Sequence, residues 1–303
     1  MVFSHFSFFH PYVAPPKKQF ECYNNSRNYY IQNFERLIQI EKYCMEIMTD
    51  FIDKNLKEIK RDYDEASFLY PFWQNYPPED RGRMPKGDQF PWIEVGEHIF
   101  CPKISRFLSE FFSIQDSGLP TGPDDRYVIS NTEIQKILDK TNTVWLFIDI
   151  KSVGPRDDQD HTVMSHNQIS GNGKWEKIKC GVLNEVMIAK GQRVTHPFHC
   201  AIPPIYILSD GTIAPVVHIV LKPVYKMLGL TEEEKGQPLN RVTLCSIPNG
   251  ILLTEKPNYL QTFPGLLFPG KDDKGKDLRK VRARVSFEKL RHIAEWRYKD
   301  FVF

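Results

Sequence analysis

"TVWLFIDIKS", residues 143–152, is the stretch from which the rest of the chain is read. Six of its first eight residues are apolar or aromatic, as in a strand buried in a core. Asp149 and Lys151 stand two apart near its end, and residues i and i+2 of a strand project to the same face. A buried charge is costly unless it is paired or put to use. The two charges therefore either neutralise each other at a strand edge or meet a ligand together.

A carboxylate beside an ammonium can hold a divalent cation while the lysine faces an anion or an activated water. One carboxylate makes a weak magnesium site, so a second should come from elsewhere. Asp124, in "TGPDDRY" just before the preceding apolar run, is the natural partner. The pattern is P-D, 24 intervening residues, then D-x-K. The [DE]-x-K signature alone occurs four times in this chain, but only at 149–151 does it end an apolar strand, and Pro123-Asp124 is the sole P-D pair.

Outward from this strand, residues 28–62 read as one long helix, with apolar positions such as Leu37, Ile40, Cys44, Met48, Phe51 and Ile59 at three-and-four spacing. Residues 71–92 hold five prolines and read as a long ordered loop. The second half of 93–112, or all of it, reads as helix. A short strand over 126–130 and a helix over 131–140 precede the Asp149 strand. "PIYILSDGTIAPVVHIVLKPVY" carries a hairpin signal at S-D-G-T, and "RVTLCSIPNGILLT" a second at P-N-G. In "KVRARVSF", Lys280, Arg282 and Arg284 alternate with Val281, Ala283 and Val285, so the basic side chains share a face.

The bulk numbers narrow the function. The chain has 303 residues, 41% hydrophobic and 26% charged, with 22 prolines and 17 glycines, which suits an α+β protein with long ordered loops. No apolar run approaches the roughly 18 residues of a membrane span. The aromatic start lacks the basic and apolar regions of a signal peptide, and residues 1–27 read as a flexible arm ahead of a single domain over 28–303. Six scattered cysteines without a CxxC pair point to reduced thiols and a cytoplasmic setting. "HPFHC", His196 to Cys200, lacks a second pair of metal ligands nearby and reads as loop or core.

The net charge of +2 does not suggest a polyanion ligand, but its distribution does. Residues 271–299 hold eleven Lys/Arg against five Asp/Glu. A basic segment on a near-neutral body fits an anionic partner, with a solvated charged face as the alternative. "GLLFPGKD" imitates a phosphate loop, yet Asp272 stands where a hydroxyl should meet magnesium, so no nucleotide cofactor is expected.

The P-D and D-x-K arrangement resembles the nuclease core of type II restriction endonucleases. "PFWQNYPPEDRGRMPKGDQFPWIEVGE", "GLPTGPDDRY", "FIDIKSVGPRD", "NQISGNGKW", "IPPIYILSDGTIAPVVH" and "PGKDD", taken together and in order, are similar to the BglI-type members of that class from about residue 59 to 288. The resemblance implies an α/β (α+β) fold: a central mixed β-sheet flanked by helices, with added hairpins that read DNA. It places the catalytic core at about 93–152 and DNA-reading elements at about 153–180 and 265–290. It implies a homodimer acting on double-stranded DNA with Mg2+, which Mn2+ should replace, at an interrupted palindrome with GCC and GGC half-sites.

By position, the resemblance makes Asp124 and Asp149 metal-binding carboxylates and the Ile150 carbonyl a further ligand. Lys151 would face the scissile phosphate, and Glu97 in "WIEVGE" would lie near the site. Asp125 replaces the family's Glu beside the first carboxylate, and the interval from Asp124 to Asp149 is one residue shorter than in that family. Arg282, Arg284 and Lys271 become candidates for guanine, Asp157 and Asp273 for cytosine, and Lys174 for the DNA backbone. For Arg284 a phosphate contact is the alternative. Two other functions compete: a structure-directed repair or recombination nuclease, and a catalytically silent DNA-binding protein.

Overall fold

The computed structural model describes residues 17–68, 92–117, 122–154, 157–178, 181–187, 198–208, 210–226, 238–269 and 282–303. Helices α1 (Lys17–Gln32) and α2 (Phe34–Phe68) open the chain. The periodicity of 28–62 predicts one helix, and the structure has two, meeting at Asn33. The Asn33 side-chain amide donates to the Tyr29 carbonyl at 2.8 Å, a local bond that competes with helix continuation. The expected arm over 1–27 is also too long. Residues 17–27 are helical, Tyr23 is fully buried, and Arg27 donates to the Asn172 carbonyl and to Glu255, each at 2.5 Å. Residues 1–16 and the proline-rich 71–91 lie outside the described residues.

Helix α3 (Trp92–Leu108) is followed by β1 (Ser113–Asp116), β2 (Asp125–Ser130), α4 (Thr132–Leu138) and β3 (Thr143–Ile150). Then come β4 (His161–Ser165), β5 (Trp175–Ile178), β6 (Gly181–Met187), β7 (Phe198–Cys200), β8 (Ile205–Ile207), β9 (Ile213–Tyr225) and β10 (Leu239–Ile247). The chain ends with α5 (Gly250–Thr254), α6 (Tyr259–Thr262), β11 (Leu267–Pro269), β12 (Arg282–Ser286), α7 (Phe287–Ile293) and β13 (Tyr298–Val302).

The main sheet runs β1-β2-β3-β9-β10-β13, with β8 paired to β9. It is mixed: β3 and β9 are parallel, with Asp149 opposite Val220, and the other pairs are antiparallel. All eight residues of β3 are buried, as its apolar run requires. Helix α2 lays Leu37, Ile40, Met48, Phe51 and Ile59 into the same core. Each such side chain, fully buried, contributes about 1.5–3 kcal/mol. A second sheet, β11-β12-β4, carries the alternating basic strand: Arg282 is exposed while Ala283 and Val285 are buried. A third sheet, β5-β6-β7, lies within the described residues as well.

The S-D-G-T hairpin forms as β8 and β9, with Gly211 at φ +84 in the left-handed region that glycine tolerates. The P-N-G hairpin does not form. Asn249 instead caps α5, its Oδ1 accepting from Ile251 N at 3.0 Å, while Nδ2 donates to the Pro204 and Val216 carbonyls, each at 2.8 Å. An Asn-Gly pair serves a helix start as well as a turn, and here buried acceptors decide which. β10 pairs with β9 and β13 instead.

Candidate active site

At the end of β3 the ladder to β9 continues, but on the β2 side it runs out of partners and a side chain takes over. β2 begins at Asp125, opposite Ile148, so the Ile150 N–H lies beyond it. That N–H donates to Asp124 Oδ2 at 2.6 Å. The sequence interval of 24 residues thus closes onto one strand end.

Asp149 is 1% exposed, and burial pushes its carboxyl up to about 6. Lys151 pulls in the opposite direction, and the nearby charge of Asp124 adds to the rise. Lys151 Nζ lies 3.1 Å from Oδ1 and 3.0 Å from Oδ2. The strand-edge ion pair and the shared-face reading are therefore both present. Yet Lys151 is partly exposed while Asp149 is not, so the pair offers its cation outward.

Glu97 reaches the same neighbourhood from α3. Burial raises the Cys101 thiol, and the charges of Asp125, Asp124 and Glu97 raise it further, so these carboxylates border one half-buried sulfur. A glycine makes this approach feasible. A Cβ on Gly96 would stand 2.2 Å from Ser152 Oγ and 3.4 Å from Ile150 Cγ2, so α3 packs directly on the strand end. Asp125 is half-buried, and its carboxyl is raised by burial against hydrogen bonds from Cys101 and Tyr127.

The donor set suits a hard divalent ion. Among the described residues no three His, Cys, Asp or Glu side chains gather into a complete metal cage. Magnesium does not ask for one, since it usually takes one or two carboxylates and completes its shell from phosphate and water. Asp149 Oδ2 is buried without a hydrogen-bond donor, although Lys151 approaches it as an ion pair. It is an acceptor with capacity to spare.

The DNA-reading candidates divide. Arg282 and Arg284 stand on β12, opposite Ser165 and Val163 of β4. Arg284 is largely buried, 3.3 Å from Asp158, with its guanidinium over the Phe268 ring. Asp157 is exposed at the entry to this sheet, and its Oδ2 accepts from Gly154 N at 2.7 Å, which closes its loop. Lys174 pairs with Glu255 at 2.9 Å, beside Arg27 of α1. Lys271 and Asp273 lie outside the described residues.

Three residues escaped the sequence reading. Gln168 donates to Asp149 Oδ1 at 2.7 Å. Asp158 meets both Arg284 and His161. Lys222 is buried in β9, donates to the Asp158 carbonyl and to the His161 carbonyl at 2.6 Å, and is drawn down to about 8 by burial. It pins the base of β4 to the main sheet. A lysine inside "VVHIVLKPVY" was the available signal, since an apolar run seldom carries an unpaired charge.

A family model described as restriction endonuclease BglI matches residues 18–301. The type II restriction enzyme BglI of Bacillus subtilis is 45% identical over 282 residues, 91% of this chain and 94% of that one. The crystal structure of BglI bound to its DNA recognition sequence superposes with a TM-score of 0.82 at 44% identity, over 94% of this chain and 97% of that one. The tetrameric restriction endonuclease SfiI bound to cognate DNA matches with a TM-score of 0.57 at 13% identity, over 89% and 85%, a likeness of fold alone. The chain belongs to the BglI family of type II restriction endonucleases, site-specific deoxyribonucleases.

Proposed function

We propose that this endonuclease acts as a Mg2+-dependent homodimer on an interrupted GC-rich palindrome with GCC and GGC half-sites, leaving 5′-phosphate and 3′-hydroxyl ends. The observation that carries the reading is the convergence of Asp124, Asp149 and Lys151 on the end of β3. Asp124, Asp149 and the Ile150 carbonyl would hold the divalent ion. When bound, the ion supplies positive charge that offsets the carboxylates against the phosphate and activates a water.

Lys151 sets its ammonium where negative charge builds on the phosphorus oxygens, and its stabilising effect is greatest in the transition state. The water oxygen gives up a proton to solvent and forms a bond to phosphorus, the bond to the 3′ oxygen breaks, and that oxygen takes up a proton from solvent. Glu97 adds negative charge at the rim of the site. Arg282, Arg284 and Lys271 offer donors to guanine, and Asp157 and Asp273 accept from cytosine N4. The half-sites follow from the likeness to BglI-type enzymes. An all-GC half-site calls for such a mixture of arginine and carboxylate.

The test is digestion of plasmid or phage DNA of known sequence with Mg2+, with Mn2+ and with EDTA. Discrete bands with either metal, none with EDTA, and ends mapping between GCC and GGC are expected. A smear would favour a structure-directed nuclease, and a gel shift without cutting a binding protein.

A further inference from the structure

The turn after β4 carries a side chain that joins two parts of the molecule. The Gln168 N–H donates to the Ser165 carbonyl at 3.0 Å, and its Oε1 accepts from the Ser165 N–H at 2.9 Å. A backbone N–H can only donate, so this second bond fixes the amide's orientation, Oε1 to Ser165 and Nε2 away. Nε2 then donates to Asp149 Oδ1 at 2.7 Å. Ser165 is the register partner of Arg282 on β12. One side chain thus connects the strand pair that bears the arginines to the buried carboxylate at the end of β3.

The backbone around Gln168 is held on both sides. Ala201 N donates to the His166 carbonyl at 2.7 Å, Ser170 N to His218 Nε2 at 2.9 Å, and Gly171 N to the Ile202 carbonyl at 2.9 Å. Gly250 N donates to Ser170 Oγ at 3.0 Å, and a Cβ on Gly250 would stand 1.7 Å from the Gly171 oxygen, so this contact admits only glycine. A turn clamped in this way is anchored beside β9 and α5, and the bonds of Gln168 to Ser165 are its link to β4.

We infer that Gln168 is a positioning residue that transmits engagement of β4 and β12 on DNA to Asp149. A neutral amide can fix Oδ1 without neutralising the carboxylate, as a second lysine would, and it leaves Oδ2 to Lys151 and to any bound ion. Partners of this kind orient metal-holding carboxylates and tune them. The inference rests on the reading of Asp149 as an ion-holding carboxylate.

Two variants test it. Gln168→Met has similar length and no hydrogen-bonding groups; Gln168→Glu keeps the acceptor for Ser165 N–H and loses the donor to Asp149. Each is compared with the parent for single-turnover cleavage of the mapped site, for duplex affinity in EDTA, and for the gain in affinity that Ca2+ brings. Cleavage should fall about 10–100-fold and the Ca2+ gain should shrink, with EDTA affinity and melting temperature unchanged. The ratio of cleavage at the mapped site to that at a site altered by one base pair should fall, because only the mapped site engages the coupling.

A normal rate with a normal Ca2+ gain would overturn the inference, as would an undiminished ratio. So would a loss of rate that merely follows a loss of melting temperature and EDTA affinity. Asp149→Ala run alongside separates the levels. If it cleaves normally, the reading of Asp149 fails; if it is inactive while both Gln168 variants are normal, the positioning role alone falls.

Discussion

Lys151 touches both oxygens of Asp149, with Nζ 3.1 Å from Oδ1 and 3.0 Å from Oδ2. The pair is uneven, because burial favours the neutral acid while the lysine holds it ionised. A phosphate arriving at this end of β3 would share the same ammonium. Lys151→Ala should therefore lower single-turnover cleavage by at least about 10²–10³-fold while gel-shift affinity for the site persists. Asp149→Ala should do the same. Near-normal turnover in either variant would remove that residue from the chemistry.

Gly96 makes a second test that touches no charged group. A Cβ there meets Ser152 Oγ at 2.2 Å, one residue past Lys151. Ser152 can turn aside, so Gly96→Ala should still fold, but α3 and the strand end must separate slightly. A displacement of about 1 Å can cost on the order of 10²-fold in rate. The expected outcome is slowed cleavage with site binding intact. Equal loss of both would show that Gly96 supports the fold as a whole.

Arg284 is held by Asp158 at 3.3 Å and lies over Phe268. Such restraint presents a guanidinium with less entropy left to lose on binding. Arg284→Ala should weaken binding to the mapped site by about 1–3 kcal/mol and relax one base position. The measurement is competition between the site and its single-base variants. An equal loss on random DNA would make Arg284 a phosphate contact.

The strand that decides the fold could be read because burial and charge are both local properties. Eight buried residues in β3 and two charges at its end follow from composition and period alone. The Asp124 partner was legible as well, since a short apolar run follows it and pairs with β3. The break at Asn33 was not, because Asn33 keeps the helical spacing on both sides and only its side-chain bond to Tyr29 reveals the bend. Asn249 misled for a related reason: its turn signature is the same as a cap signature, and the carbonyls of Pro204 and Val216 that select the cap are more than 30 residues away. Gln168 acts across 19 residues and Lys222 across 61 and 64, where no sequence period carries information.

His218 should make the protein sensitive to acid. It is fully buried, its Nε2 accepts from Ser170 N–H, and burial draws its pKa down to about 3. The unfolded chain takes up a proton near pH 6.5. Between those values the unfolded state binds the extra proton, so stability from this group is present above about pH 6.5 and is lost as the pH falls toward 3. The full loss is about 5 kcal/mol. Asp149 runs the other way, its raised pKa favouring the folded state at lower pH, so the difference between parent and variant is what isolates the histidine. Urea unfolding of His218→Gln should show a shallower decline over this window. A parallel decline would assign the acid sensitivity elsewhere.

Glu41 and Arg297 form the second buried pair, between α2 and the segment before β13, with both side chains at most 1% exposed. The guanidinium donates to Glu41 Oε2 at 2.6 Å and lies over the Trp296 and Tyr259 rings, while Glu41 Oε1 accepts from Asn249 N at 2.6 Å. Removing one partner leaves the other charge buried and unpaired, and that, more than the loss of attraction, sets the cost. Arg297→Met and Glu41→Leu should each lower unfolding stability by about 3–5 kcal/mol. The double variant strands no charge, so its loss should fall well short of the sum, and a cycle of urea denaturation curves measures the shortfall. Strict additivity would mean that the two side chains stabilise the fold independently, through Asn249 on one side and the aromatic rings on the other.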